Sequence, residues 1–112
     1  MIVNAGKIKL ANLVIGNFTK IDVGDGGDDT SSSQTTLDNS ILTSKKDCTP
    51  SLMGNTIVYE VSFLGSELNS NVISEIGVFN SDNVMLSRVN FNSIGPLASN
   101  ETVSFTLRLE VV

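Results

Sequence analysis

Histidine and tryptophan are absent from this chain, and cysteine and tyrosine occur once each. Without histidine the commonest general base and metal ligand is missing, so Ser-His-Asp and Cys-His nucleophile pairs are excluded outright. The lone Cys48 rules out an intramolecular disulfide and a cysteine-rich metal centre, and it suits a reduced compartment. An enzyme would have to work with carboxylates such as Glu60, Glu75 and Glu101, and these show neither paired-acid spacing nor a nucleophile beside a base. The expected reading is non-enzymatic, with no catalytic, cofactor-binding or metal-binding residues. A carboxylate-only hydrolase ranks last among the alternatives.

Positive charge is scarce too. Seven Lys and Arg stand against twelve Asp and Glu, for a net charge of −5 and an isoelectric point near 4.4. The basic residues are scattered rather than clustered, which argues against nucleic acid as a partner. Long apolar runs are missing as well. Lys7 and Lys9 interrupt the N-terminal apolar stretch, so neither a signal peptide nor a membrane span is expected, and synthesis in the cytoplasm follows. Two glycosylation patterns, at Asn17-Phe18-Thr19 and Asn100-Glu101-Thr102, matter only after secretion and are read as chance. With 112 residues, 40% of them hydrophobic, and a mean hydropathy of +0.16, residues 1–112 are expected to form one domain. A chain of this size buries roughly 60 to 70% of its unfolded surface. Few aromatics make the core mostly aliphatic.

What is present is turn chemistry between alternating apolar runs. Ile73 to Phe91 holds two such runs separated by Asn80, Ser81, Asp82 and Asn83, whose short side chains bond local backbone, and it reads as a β-hairpin. A turn centred on Ser81 and Asp82 sets Phe79 opposite Val84, Gly77 opposite Leu86 and Glu75 opposite Arg88; an odd-length loop would break that pairing. An exposed Glu75–Arg88 pair would contribute roughly 0.2 to 1 kcal/mol, and Gly77 marks a bulge or a close backbone approach.

Along the rest of the chain, Met1 to Gly16 is ambiguous between a strand at Lys7 to Leu10 and a helix. A helix from about Ala5 to Ile15, capped by Asn4 and packing Ile8, Ala11 and Ile15 inward, is preferred. Phe18 to Val23 alternates as a short strand. Gly24 to Thr36 follows as an exposed loop free to move, rich in Asp, Ser and Thr. Its aspartates, Asp25, Asp28 and Asp29, with Asp22 before them, lack the ligand series of an EF-hand and read as solvated rather than calcium-binding, and its glycines fit no nucleotide loop. Leu37 to Leu42 reads as a helical turn or the start of a strand. Thr43 to Leu64 reads as a second hairpin about Gly54-Asn55, with Ile57, Tyr59, Val61 and Phe63 on one face, Leu52 opposite Ile57 and a buried Cys48 opposite Val61. Pro50 marks an edge or bulged strand. Gly65 to Asn71 and Asn92 to Asn100 are polar connections. Thr102 to Val112 is the cleanest strand, and its apolar face suggests a place inside the sheet. The fold class is thus mainly β, an antiparallel β-sandwich-like domain with one N-terminal α-helix.

Taken in order, NAGKIKLANLVIG, IDVGDG, QTTLDNSI, ISEIGVFNSDNVMLSRVNF and ETVSFTLRLEVV resemble small tailed-bacteriophage virion proteins related to the N-terminal domain of tail-collar fibre proteins. The distinctive pieces are Val-Gly-Asp-Gly at Val23 to Gly26 and Glu-Ile-Gly-Val-Phe at Glu75 to Phe79. The resemblance implies a helix packed on a β-sandwich-like body that acts as an attachment module of the tail, baseplate or fibre. It implies a homo-oligomer, trimer or ring, with other virion proteins as partners, and Gly24, Gly26, Glu75, Gly77, Phe79 and Arg88 as structural motif residues. The chain stops where a fibre would continue into its shaft, which leaves capsid or neck decoration as an alternative. A receptor- or carbohydrate-binding module built on polar loops is the alternative of another class.

Overall fold

The computed structural model describes all 112 residues. Helix α1 (Asn4–Asn17) precedes strands β1 (Lys20–Gly24), β2 (Lys46–Asp47), β3 (Ser51–Met53), β4 (Thr56–Leu64), β5 (Ile73–Phe79), β6 (Met85–Ile94) and β7 (Thr102–Glu110), with a 3-10 turn at Gly65–Leu68. All strand pairs are antiparallel. They form two sheets, ordered β2-β1-β5-β6 and β3-β4-β7. Period-two alternation turns one side of each sheet toward the other. Ile21, Val23, Ile76 and Val78 from the first sheet meet Ile57, Tyr59, Val61 and Phe63 from the second in one core. The architecture is mainly β and sandwich-like, as expected.

The helix forms where it was expected, but its ends and its packing differ. Asn4 is its first residue and not its cap, since the preceding Val3 has extended backbone and no side chain closes the end. Gly16 and Asn17 continue the helix, and the Asn17 side-chain amide donates to Leu13 O at 2.6 Å. Ala11 is the one fully buried helical residue, with Val14, Ile15 and Phe18 packed beside it. Ile8, assigned to the inward stripe, is 41% exposed. At the C-terminal end Tyr59 Oη donates to Phe18 O at 2.7 Å, which ties helix to sheet. Burial, with Cys48 nearby, pushes the Tyr59 hydroxyl up to about 12, so it stays a donor at every ordinary pH.

The second hairpin keeps its tip and loses half an arm. Leu52 pairs with Ile57 as expected, but Cys48 belongs to no strand: the chain leaves β3 at Ser51 and crosses to the other sheet, where Lys46 and Asp47 pair with β1. Pro50 stands at that crossing, where its missing N–H breaks no ladder. Cys48 is buried, and its thiol donates to Glu60 O at 3.3 Å, so nearness to β4 survives without pairing.

The Ile73–Phe91 hairpin forms, in a register two residues away from the expected one. Glu75 pairs with Asn90, Gly77 with Arg88 and Val78 with Ser87, and then the ladder slips so that Phe79 meets Met85. The loop between Phe79 and Met85 has an odd length, closed by Asn80 Oδ1, which accepts the N–H groups of Asp82 at 2.9 Å and Val84 at 2.8 Å, and by Asn83 at φ 64°. Leu86 is the extra residue of the bulge. Because two residues make one side-chain period, Glu75 and Arg88 still share a face.

Strand β7 departs most. It pairs with β4 alone, so it is an edge and not an interior strand. Its apolar residues Val103, Phe105, Leu107 and Leu109 are only half-buried, because the facing strand β6 is also an edge and the sandwich is open along this side. Strand β6 runs on to Ile94 through part of the expected connection, and Phe91 packs its ring 5.6 Å from that of Phe105 across the opening.

We predict that Tyr59→Phe, which removes only the bond to Phe18 O, destabilises the fold by about 1 kcal/mol. Chemical denaturation measures this; an unchanged midpoint and slope would show that the helix needs no such tie.

Candidate functional site

Every residue of β5 is buried, unlike those of any other long strand. Ile76 and Val78 are covered by the sandwich core, so Glu75, Gly77 and Phe79 need a second cover on the outer face. The segment Gly24 to Ser40 supplies much of it. As expected, most of this loop is exposed, at Gly27 to Ser33, Thr35, Thr36 and Asp38 to Ser40, but Gly24, Gly26 and Leu37 are buried and its backbone is fastened across the sheet.

Cross-strand rows on this outer face explain which residues are small. One row reads Asp22, Gly77, Arg88 and the next Gly24, Glu75, Asn90. Each row thus has one position without a side chain, and the loop fills both. A Cβ on Gly77 would lie 2.9 Å from Leu37 Cδ2, so Leu37 occupies that space. A Cβ on Gly24 or on Gly26 would lie 2.5 Å from Glu75 Oε2, closer than real carbon–oxygen contacts. Glycine is required at both for the backbone to approach the carboxylate.

Glu75 is the hub. Its side chain is fully buried, and its two oxygens accept four hydrogen bonds: Oε1 from Arg88 Nε at 2.9 Å and Asp38 N at 2.9 Å, Oε2 from Gly26 N at 2.8 Å and Asn39 N at 2.9 Å. A carboxylate has about four lone-pair sites, so none is left over. Arg88, also fully buried, spends its other donors on the loop: Nη1 on Asp28 O at 2.8 Å and Thr30 Oγ1 at 3.0 Å, Nη2 on Asp38 Oδ2 at 3.0 Å. Thr30 returns a bond to Arg88 O at 3.1 Å, and Ser74 Oγ donates to Gly26 O at 2.7 Å. The Glu75–Arg88 ion pair expected from the sequence forms, and being buried it acts as a clamp joining both arms of the hairpin to both ends of the loop. Buried ions survive only when paired and fully hydrogen-bonded, and here no buried side-chain polar atom lacks a partner.

The two carboxylates of this face titrate in opposite senses. Burial alone would raise Glu75, but the Asn39 N–H, the Arg88 guanidinium and the Asp38 and Gly26 N–H groups outweigh it and hold the carboxyl below its ordinary 4.5. Asp22, in the next row, is raised above its ordinary 3.8: burial outweighs the Ser40 hydroxyl, the Lys45 charge and the Val23 N–H, and Glu75 adds repulsion. Asp22 Oδ1 accepts Ser40 Oγ at 2.8 Å and pins the far end of the loop.

The motif residues Gly24, Gly26, Glu75, Gly77 and Arg88 thus come together in one cluster. Phe79 sits at its end, buried, with the Lys45 ammonium 4.7 Å from its ring centre. The composition-based reading did not single out Leu37, Asp38, Asn39, Ser40 and Ser74, although the first four lie in the QTTLDNSI stretch. One signal in the sequence points toward them: a glutamate inside the apolar strand ISEIGVF needs hydrogen-bond donors, although nothing local says that a segment more than thirty positions away supplies them. Chemically the cluster is closed. Every Glu75 lone pair is taken, so the carboxylate can accept a proton only if the loop lifts. Two of the loop carboxylates are engaged as well, Asp38 on Arg88 and Asp25 on the Asn39 side chain. Comparison of the sequence with protein-family models and with curated proteins finds no match.

Replacing Glu75 by Gln keeps the shape but sets an amide group against donors, and we predict a loss of about 3 to 5 kcal/mol at neutral pH, as for a broken buried pair. The sign with pH follows from linkage. A carboxyl held below its unfolded value contributes fully above about pH 4.5 and loses that contribution as pH falls through the lower folded value. The gap between wild type and Glu75→Gln should therefore narrow in acid. Asp22, raised when folded, acts the other way, favouring the fold in acid and losing that as pH rises through its folded value. Denaturation curves between pH 7 and pH 2 provide the check, and a gap constant over this range would show that Glu75 is not ionised in the fold.

Proposed function

We propose that the chain is a non-enzymatic structural protein of a tailed-bacteriophage virion, an attachment or assembly module of the tail, baseplate or fibre. The observation that carries this reading is the convergence of the motif residues. Gly24, Gly26, Glu75, Gly77 and Arg88, which bear the resemblance to tail-collar fibre proteins, are consumed in one internal clamp. Residues spent on holding a loop to a sheet serve shape, and shape is what a repeated building block offers its neighbours. Partners in this reading are other virion proteins and further copies of the chain, made in the bacterial cytoplasm and incorporated into the particle; neither nucleic acid nor membrane is a partner. Capsid or neck decoration is the alternative within the same class.

A receptor- or carbohydrate-binding module is the second reading, and one surface feature favours it. A cleft of about 320 Å³ beside the β5–β6 loop is lined only by polar residues, Lys20, Thr43, Ser44, Lys45, Asn80, Ser81 and Asn83. Hydroxyl and amide groups of this kind suit a sugar, though no tryptophan provides a stacking platform.

Mass spectrometry of purified virions tests the leading reading. We expect the chain at a fixed copy number per particle, lost when its gene is deleted. Its absence from particles would refute virion membership, and binding on a glycan array together with that absence would favour the second reading.

A further inference from the structure

The two sheets have four edge strands, and three are protected against pairing with another chain. Strand β2 is two residues long and charged, β3 is three residues long and follows Pro50, and β6 is bent by two irregularities in its register. Short, charged, proline-flanked or bulged edges are the usual devices that blunt a sheet. Strand β7 has none of them. It is nine residues long, holds an unbroken register against β4, and contains no proline, glycine or lysine.

The free groups on that edge can be assigned. Val111 N donates to Asn55 O at 3.1 Å, and Glu101 O accepts from Gly65 N at 2.8 Å, so at both ends odd-numbered residues turn their backbone groups toward β4. Alternation in an antiparallel ladder then directs the N–H and C=O of Thr102, Ser104, Thr106, Arg108 and Glu110 outward. The side chains of Arg108 and Glu110 are exposed, and neither takes part in an ion pair or a hydrogen bond through its side chain.

We propose that β7 pairs antiparallel with β7 of a second copy of this chain, about a two-fold axis beside Leu109. Charge selects this occupant and this register. An arginine and a glutamate two residues apart on one face complement their own reversed image. With the axis at Leu109, each Arg108 lies opposite the other copy's Glu110. An axis at Arg108 sets arginine against arginine, and one at Glu110 sets glutamate against glutamate, both unfavourable directly across a sheet. On the inner face Leu109 meets its own copy and Leu107 meets Val111. Val112, 85% exposed in the single chain, gains a neighbour, as does the cleft of about 220 Å³ that Val14, Ile57, Leu86, Leu109 and Val111 line at this end. The pair of three-stranded sheets becomes one continuous sheet. Such an isologous contact closes as a dimer, and a ring or trimer would need a second contact elsewhere. This inference stands on the strand edge and not on the virion reading.

Light scattering on the full chain, with charge-reversed variants, tests it. Wild type should run as a dimer of the 11.9 kDa chain. Arg108→Glu and Glu110→Arg should each be folded by circular dichroism yet monomeric, because each opposes like charges. Mixed together they should form a heterodimer, an acidic strand against a basic one, and the double variant should dimerise like wild type. A monomeric wild type at the highest soluble concentration overturns the proposal. So does a dimer that survives either single reversal, since its contact would then lie elsewhere.

Discussion

A carboxylate in the middle of a strand that is buried on both faces governs much of this structure. Glu75 can remain ionised there only if every lone pair is filled, and the sheet itself cannot fill them, because its own N–H groups are engaged in ladders. Arg88 supplies one donor from the neighbouring strand. The remaining three come from backbone N–H groups of the Gly24 to Ser40 segment. That requirement accounts for several otherwise unrelated features. Gly24 and Gly26 must lack side chains for the backbone to come close enough, Gly77 must lack one for Leu37 to seal the adjacent position, and Arg88 spends its remaining bonds on the loop rather than on solvent.

The result is a sandwich with a third, irregular layer over part of one sheet. The loop's two ends are fastened and its exposed tip carries Asp28 and Asp29, so acidic side chains are presented on a defined base. Along the edges of β6 and β7 the sandwich is open. One side of the molecule has thus used up its polar groups internally, and another leaves backbone and apolar groups without partners.

Much of the fold was legible because alternation is local. Ile57, Tyr59, Val61 and Phe63 face the core as their period requires, Pro50 marks an edge, Cys48 is buried, and the turn residues at Gly54-Asn55 and Asn80 to Asn83 mark real turns. What failed depends on distant partners. Alternation in β7 reports one buried face but says nothing about how many neighbours a strand has, so an interior place was assigned to an edge. The hairpin register turned on whether the loop held an even or odd number of residues: the five-residue loop moved it by one and the bulge at Leu86 by one more. The loop from Gly24 to Thr36 is largely exposed, as its solvated composition implies, but that composition hides its anchoring. It is ordered by side chains about fifty and sixty positions away, at Glu75 and Arg88. Of the candidate site, Gly24, Gly26, Glu75, Gly77 and Arg88 were named from the sequence, while Leu37, Asp38, Asn39, Ser40 and Ser74, and the assembly of all of them into one clamp, were not.

Native-state hydrogen exchange at Gly26, Asp38 and Asn39 tests the central claim most directly. None of these three amides lies in a helix or belongs to a strand, and each donates to Glu75. If the buried carboxylate holds the loop to the sheet, they exchange as slowly as the strand amides of β5, while amides at the tip, such as those of Gly27 and Ser32, exchange freely. Exchange of Gly26, Asp38 and Asn39 at the rate of the tip would contradict the account, because the loop would then be opening without any loss of the fold.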